Sequence, residues 1–514
     1  MWIEQVFYLG VKGPFTAMAK RLSRKERTEL FPESKNARNH AGSGSDGGAT
    51  VHGFNRSAVS IPDLRALLNG RVIALDDARY EQARTIFYGG IDRRPAAIVR
   101  PSDAKDISQV VSLAREAGLE LAIRSGGHSL AGHSVSDGGI VLDLANMRAL
   151  HIDAERRTAW AETGLTAGEY TSAAGAYGLA TGFGDTGSVG IGGITLGGGV
   201  GFLVRKHGLT IDDLLAADIV TADGQLVRAD AETHPDLFWA IRGGGGNFGV
   251  ATRFQFRLHE VHRIVGGMLL LPATPDVIAA FIAEAEAAPE ELSTIANVMP
   301  APPMPFVPAE QHGRLVVMVL LVYAGEVEAG ERAVARFRAL AQPIADMVRP
   351  MRYPEMYPPE AGGYHPTAVA RTLFVNTIDR DAAETIVEYL QASDATVRVA
   401  QLRVLGGAMA RVPVEATAFA HRRSRIMVNV AAFYDGPDDR AVREAWVVDF
   451  AAALNQADSG AYVNFLGDEG EARVRDAYPG ATWDRLRAIK ARYDPINLFR
   501  LNQNIPPAIE GPGE

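Results

Sequence analysis

A chain of 514 residues is too long for one simple core, since domains run to roughly 150 residues each, and a hydrophobic content of 47% with 22% charged residues lets most of the length bury real cores. A formal charge of -9 argues against a nucleic acid or an anionic membrane as the partner, because those surfaces are held by clustered Lys and Arg. The chain has no cysteine, which removes disulfides, thiolate metal sites and catalytic thiols and leaves the redox compartment open.

The opening "MWIEQVFYLGVKGPFTAMAKRLSRKER" has no basic region ahead of its apolar part and no small-residue cleavage pattern, so no signal peptide is expected. No run approaches the roughly 18 apolar residues of a spanning helix. A cytoplasmic location is the resulting expectation. "AGSGSDGGAT", from Ala41 to Thr50, reads as a flexible linker, and residues 1–59 as an N-terminal extension that ends in it.

Next, "AAIVRP" reads as a short strand and "SDAKDISQVVSLAREAG" as a helix. Ile107, Val110, Val111 and Ala114 recur at helical spacing, Ser102 or Asp103 can cap the start, and Gly118 stops it. The strand "LELAI" then delivers the chain into "RSGGHSLAGHS". "GIVLDL" and "TAWAETG" follow as strands and "TAGEYTSAAGAYG" as a helix. "TGSVGIGGITLGGGVGF", Thr186 to Phe202, is a second glycine-rich loop. "HPDLFWAIRGGGGNFGVATRFQFRL" opens as a helix with Pro235 in its first turn, breaks into a third glycine loop and ends in an alternating strand.

Beyond about residue 263 the texture changes. Long apolar strands, "RLVVMVLLVYAG", "VRVAQLRVLGG" and "RIMVNVAAFYDG", alternate with the alanine-rich helices "PDVIAAFIAEAEAA" and "ERAVARFRALAQPI". One large sheet covered on one face accounts for that order.

Several familiar chemistries fail on local grammar. No Gly-Lys dipeptide occurs, so there is no P-loop. Gly244, Gly246 and Gly249 spell GxGxxG, but a helix precedes and a strand follows, the reverse of a dinucleotide fingerprint. "HEVH", His259 to His262, is one residue short of a zinc-binding HExxH and reads as a surface strand end, and no GxSxG elbow is present. No metal is expected. "RSGGH" alone would be a glycine turn beside a half-exposed histidine; following a βαβ-like unit and echoed by a second glycine loop, it suits a pyrophosphate held by backbone N–H groups.

Four segments, "RSGGHSLAGHS", "SVGIGGITLGGGVGFLVRKHGLTID", "LFWAIRGGGGNFGV" and "RYDPINLFRLNQNIPP", together resemble the berberine-bridge-enzyme-like FAD-linked oxidases of the vanillyl-alcohol-oxidase superfamily, in the right order from about residue 75 to the C-terminus. The resemblance implies an α+β fold, a two-domain PCMH-type FAD-binding fold with an antiparallel-sheet substrate domain. It would divide the chain into an FAD-binding part at 60–262, a substrate-binding domain at 263–458 and a C-terminal return at 459–514.

In that pattern His128 is joined covalently to the flavin 8α-methyl carbon. Arg124, Ser125, Gly126, Gly127 and Ser129 would line the pyrophosphate and ribityl chain, with Ser134 closing the first motif. From the second loop Thr186, Ser188 and Val189 lead into Gly190, Gly192, Gly193 and Gly197, Gly198, Gly199, and Val250 follows the third. Many members add a second link from a cysteine where this chain has Thr186, so a single histidyl link is expected.

Tyr462 of "YVNF" would stand near the substrate carbon as proton acceptor and Asn464 near the flavin, two residues apart on one strand face. A core tyrosine bonded to backbone is the plainer reading of Tyr462. Gln401 and Arg403 alternate along a strand and share a face, which makes them further catalytic candidates. Asn502 and Asn504 would touch the flavin edge, or merely cap a turn.

The expected reaction takes hydride from an alcohol, sugar or amine C–H to FAD, with oxygen as acceptor and hydrogen peroxide as product. Two other readings remain: a dehydrogenase with a different acceptor, and a catalytically silent flavin-binding protein, favoured if Tyr462 turns into the core or Tyr357 to Tyr364 plug the cavity. A non-covalent reductase using NAD(P)H is the weakest.

Overall fold

In the computed structural model of the protein, residues 60–68, 71–359, 363–456 and 460–509 are described, so the extension and linker expected over 1–59 lie outside the described residues. The helix expected after the first strand spans Ala104–Ala117. Asp103 caps it by accepting the Asp106 N–H at 3.0 Å, and Gly118 ends it at φ 63, a left-handed conformation that suits glycine. Its stripe of Ile107, Val110, Val111 and Ala114 is fully buried. That stripe lies against a four-stranded sheet in the order Val72–Ile73, Ala97–Val99, Ile140–Asp143, Leu121–Arg124, in which the last two neighbouring pairs run parallel.

A second, five-stranded sheet is wholly antiparallel, in the order Leu150–Asp153, Thr158–Glu162, Val250–Arg257, Leu214–Val220, Leu226–Asp230. Its central strand alternates as the sequence implied: Phe254 and Phe256 are buried, Arg253 and Arg257 exposed. The glycine segments lie between these layers and the rest of the chain.

The third sheet has eight strands, all antiparallel. Its core strands are Ile264–Pro272, Leu292–Pro300, Leu315–Tyr323, Ala368–Val375, Arg398–Val404 and Ile426–Phe433. Helices Pro275–Ala287, Val327–Arg338, Arg380–Ala392 and Pro437–Leu454 cover one face. The first is capped by Thr274, carries Pro275 at its start and buries Ile278, Phe281, Ile282 and Ala285, a one-sided stripe. Burying a side chain such as Phe281 contributes about 2 kcal/mol, and truncating it to Ala costs about 3–5 kcal/mol.

The opposite face of this sheet looks toward the glycine segments, with Ile295, Asn297 and Met299 on one strand and Val399, Gln401 and Arg403 on another. The C-terminal return closes back over the first half of the chain through a fully buried ion pair. Lys490 Nζ donates to Asp494 at 2.6 Å, to the carbonyl of Asn247 at 2.7 Å and to that of Phe499 at 2.9 Å. Asp494 in turn accepts the N–H groups of Leu498 and Phe499, so the charges are paired and their hydrogen bonds filled.

Two local expectations are corrected. The second glycine stretch contains a short helix, Ile191–Leu196, begun at Gly190. Gly192 sits inside it although glycine costs about 1 kcal/mol there, because a Cβ would lie 3.0 Å from Ser125. Tyr462 precedes a 3-10 turn, Val463–Phe465, Asn464 lies within it, and neither is on a strand.

Candidate active site

The strand Leu121–Arg124 runs straight into the first glycine segment, and the second lies against it backbone to backbone. A Cβ on Gly126 would come 2.2 Å from the Gly190 nitrogen, and one on Gly190 2.3 Å from the Gly126 nitrogen. Ser125 locks the contact, donating its hydroxyl to the Thr163 carbonyl at 2.6 Å and accepting the Gly192 N–H at 3.2 Å. At Gly193 and Gly246 the reverse holds: a Cβ would meet nothing within 4 Å, because both glycines border open space.

That space is a cavity of about 240 Å³ walled by all three glycine segments and by the C-terminal tail. Asn247 holds the third segment to the tail. Its Nδ2 donates to the carbonyls of Gly244 and Gln503, at 2.9 and 3.1 Å, and its Oδ1 accepts the Ile505 N–H at 2.9 Å. Ser134 Oγ and Asn502 Oδ1, both buried on the wall, have no hydrogen-bond partner among the described residues. Orphaned polar atoms beside open glycine backbone are what an elongated polar ligand would satisfy.

A smaller cavity of about 50 Å³ adjoins it, lined by the inner face of the large sheet. His128, Leu130, Asn464 and Phe465 belong to both walls and mark the junction. The His128 ring is stacked on Phe87, centroids 4.3 Å apart and planes within 16°. Next along the loop, His133 borders the larger cavity, and burial followed by the Arg93 charge pushes its imidazole down to about 4, against a smaller opposing pull from Asp468.

The sequence candidates divide cleanly. Ser125, Gly126, Gly127, His128, Ser129 and Ser134 line the larger cavity from the first segment, and Val189, Gly190, Gly192 and Gly193 from the second. Arg403, Tyr462, Asn464 and Asn502 complete its other side, while Gln401 lines the smaller one.

Arg124, Thr186, Ser188, Gly197, Gly198, Gly199, Val250 and Asn504 line neither. Strand alternation explains two of these: Ile123 and Ser125 face the cavity, so Arg124 points away, to the Ala83 carbonyl at 2.7 Å and Asp143 at 3.1 Å. In the same way Gly249 and Ala251 border the cavity and Val250 turns into the core. Thr186 is buried and donates to Asp185 at 3.2 Å.

Tyr462 borders the larger cavity only, whereas Asn464 borders both, the opposite of the order expected from sequence. Its phenol oxygen receives three donors: the N–H of Gly199 at 3.0 Å, that of Val200 at 3.3 Å and Asn464 Nδ2 at 2.9 Å. Thus Gly199 serves the site from behind, as an anchor for Tyr462. Burial pushes the phenol up; the three donors and the Arg403 charge pull it down, by less.

Arg403 is itself buried and paired with Asp185 at 2.6 Å, and it donates to the Val200 carbonyl at 3.0 Å. Tyr353 and Tyr357 bond to each other, and Tyr357 to the Gly184 carbonyl; neither is on a cavity wall. Residues 360–362 of the expected plug lie outside the described residues.

Sequence reasoning missed Asp185, Asn247, Asn297 and Asn429. The last two carried a signal: each is a lone amide inside an apolar strand, "LSTIANVMP" and "IMVNVAAF", where a buried polar group needs a reason. No His, Asp or Glu cluster able to hold a metal occurs among the described residues, and no described helix is long and apolar enough to cross a membrane.

Comparison with known proteins places this geometry. Residues 95–230 match the model of an FAD binding domain, and residues 461–506 the model described as berberine and berberine like. The chain is 30% identical over 456 residues to the (R)-6-hydroxynicotine oxidase of Paenarthrobacter nicotinovorans, covering 86% of this chain and 97% of that one. It is 29% identical to the xylooligosaccharide oxidase of Thermothelomyces thermophilus, covering 85% and 92%. Among solved structures, 6-hydroxy-D-nicotine oxidase from Arthrobacter nicotinovorans superposes with a TM-score of 0.77 at 28% identity, over 85% of this chain and 98% of that one. The xylooligosaccharide oxidase of Myceliophthora thermophila, solved with xylobiose, gives 0.75 at 26%, over 87% and 100%.

Proposed function

The chain belongs to the berberine-bridge-enzyme-like FAD-linked oxidoreductases, and on that premise we propose that it oxidises a C–H bond next to oxygen or nitrogen in a small alcohol, sugar or amine, with FAD attached through His128 and oxygen as the final acceptor. One observation carries the reading: two adjoining cavities, one walled by glycine backbone and one by the sheet, with His128 at their junction. The backbone cradle, the open positions at Gly193 and Gly246 and the orphaned Ser134 and Asn502 oxygens all fit FAD in the larger cavity. Bound FAD supplies the hydride acceptor and the route by which two electrons reach oxygen to give hydrogen peroxide.

The protein's part begins with His128. Stacking on Phe87 fixes the plane of the imidazole, and a neutral ring nitrogen is the nucleophile that the attachment requires. With no cysteine in the chain, the attachment is single.

Tyr462 is the proposed proton acceptor. A neutral phenol has room for two incoming hydrogen bonds beside its own O–H, whereas this oxygen meets three donors, an arrangement better matched to phenolate. Burial opposes ionisation, so a phenolate here would have a high affinity for the proton of a substrate hydroxyl or amine that reaches its wall of the larger cavity. The same saturation supports a second reading, in which Tyr462 chiefly braces Gly199 and Val200.

Anaerobic mixing of the purified protein with separate alcohol, sugar and amine panels tests the function. Bleaching of the flavin band by one panel, followed by its return with air and release of peroxide equal to the substrate consumed, is the expected result. A flavin band that no member bleaches would leave a silent flavin-binding protein, and bleaching without peroxide on aeration would make it a dehydrogenase.

A further inference from the structure

Four polar side chains form a row across the inner face of the large sheet. The pairing register sets Asn297 opposite Gln401, Gln401 opposite Asn429, and Asn429 opposite Thr372, so all four share the face that looks toward the smaller cavity.

The polarity of this row is decided at one end. Arg403 has only donors, and its Nε and Nη2 reach Gln401 Oε1 at 2.9 and 2.7 Å. That fixes the amide orientation, and Gln401 Nε2 donates to Asn297 Oδ1 at 2.9 Å. Asn297 Nδ2 completes the chain at the Met318 carbonyl, 3.3 Å away. Asn429 is left outside it: among the described residues its Oδ1 is buried without a hydrogen bond, as is the neighbouring Thr372 Oγ1. A buried acceptor with no donor costs about 1–3 kcal/mol, which a bound donor would recover.

Around the row the wall is small or aromatic, Ala368, Ala370, Ala431, Val399, Phe433 and Tyr88, and His128, Leu130, Asn464 and Phe465 close it at the junction. Among the described residues, no Asp, Glu, Lys or Arg borders the smaller cavity. Arg403, which bonds Gln401, is neutralised by Asp185 at 2.6 Å. An ammonium entering here would find no counter-charge and a carboxylate no free cation, and each would lose its hydration.

Resting on the function proposed above, we infer that Asn429 Oδ1 is a specificity determinant, accepting a hydrogen bond from a hydroxyl of an uncharged substrate, and that the substrate class is neutral and polyhydroxylated. Small side chains along the row keep that wall low, and Tyr88 and Phe433 add apolar surface beside it.

D-glucose, glucosamine and glucuronate share one skeleton and differ in charge, so they serve as probes, read by perturbation of the flavin spectrum in the flavin-loaded protein. Glucose is expected to bind at least about tenfold more tightly than the two charged sugars, and Asn429→Leu to weaken glucose by about tenfold while flavin content is unchanged. Asn429→Asp, which keeps the acceptor and adds a charge, is expected to move the preference toward glucosamine. The inference is overturned if a charged sugar binds as well as glucose, if no sugar perturbs the spectrum, or if Asn429→Leu leaves glucose binding intact. Protein that folds without flavin would fail the function itself, whereas flavin-loaded protein reduced by a charged substrate would keep the function and lose this inference.

Discussion

Arg403 and Asp185 form an ion pair whose side chains are 3% and 4% exposed, and it ties the inner face of the large sheet to the segment that leads into the second glycine stretch. Removing one partner strands the other charge. Asp185→Leu is therefore expected to cost about 3–5 kcal/mol, and the double variant Asp185→Leu, Arg403→Met less than its two single changes, Asp185→Leu and Arg403→Met, summed. Unfolding midpoints of the four proteins at saturating FAD check this; strict additivity would mean that the pair is not coupled.

Tyr462→Phe removes the acceptor for the Gly199 and Val200 N–H groups. If Tyr462 takes the substrate proton, the rate of flavin reduction falls by about 10²-fold or more and its pH dependence flattens, with flavin content near that of the parent. If the residue only braces the loop, stability falls by about 1–3 kcal/mol and the reduction rate keeps its pH profile.

His133 gives the fold an acid-side sensitivity of definite sign. Its folded pKa is about 4, below the ordinary value of 6.5, so between those limits the unfolded chain takes up a proton that the folded chain refuses. The stability linked to it is complete above pH 6.5 and is lost as the pH falls toward 4, by up to about 3 kcal/mol. His207, pushed down to about 3 by burial and then by His259 and Lys206, acts in the same direction. His133→Gln is expected to flatten the unfolding midpoint against pH in that window, and a slope identical to the parent's would contradict the assignment.

The glycines separate into two kinds. Gly193→Leu projects into the larger cavity and is expected to leave a folded protein with a lower flavin-to-protein ratio. Gly190→Ala would press on Ser125 Oγ at 2.1 Å and on the Gly126 nitrogen, forcing the two loops apart, and is expected to lower stability itself. Absorbance ratios and thermal unfolding of the two variants distinguish the cases.

Much of this architecture was readable in advance because its signals are local. The helix Ala104–Ala117 announced its stripe, its cap and its glycine stop, and the strand Val250–Arg257 its alternation. Alternation sorts residues that a motif leaves together: Arg124 and Val250 sit inside the matched segments, and their side chains point away from the cavity. What stayed hidden was long-range. Asp185 meets Arg403 across 218 residues, and Asn297 meets Gln401 across 104, so no window of sequence holds both partners. Tyr462 was found by motif, but the donors that define its chemistry come from Gly199 and Val200, more than 260 residues upstream.

The most direct test of the central claim is denaturation in acid followed by mapping of the flavin-bearing peptide by mass. The yellow colour is expected to stay with the polypeptide, with one flavin attached to one peptide, the one containing His128. Flavin released into the supernatant, or carried by any other peptide, would contradict it.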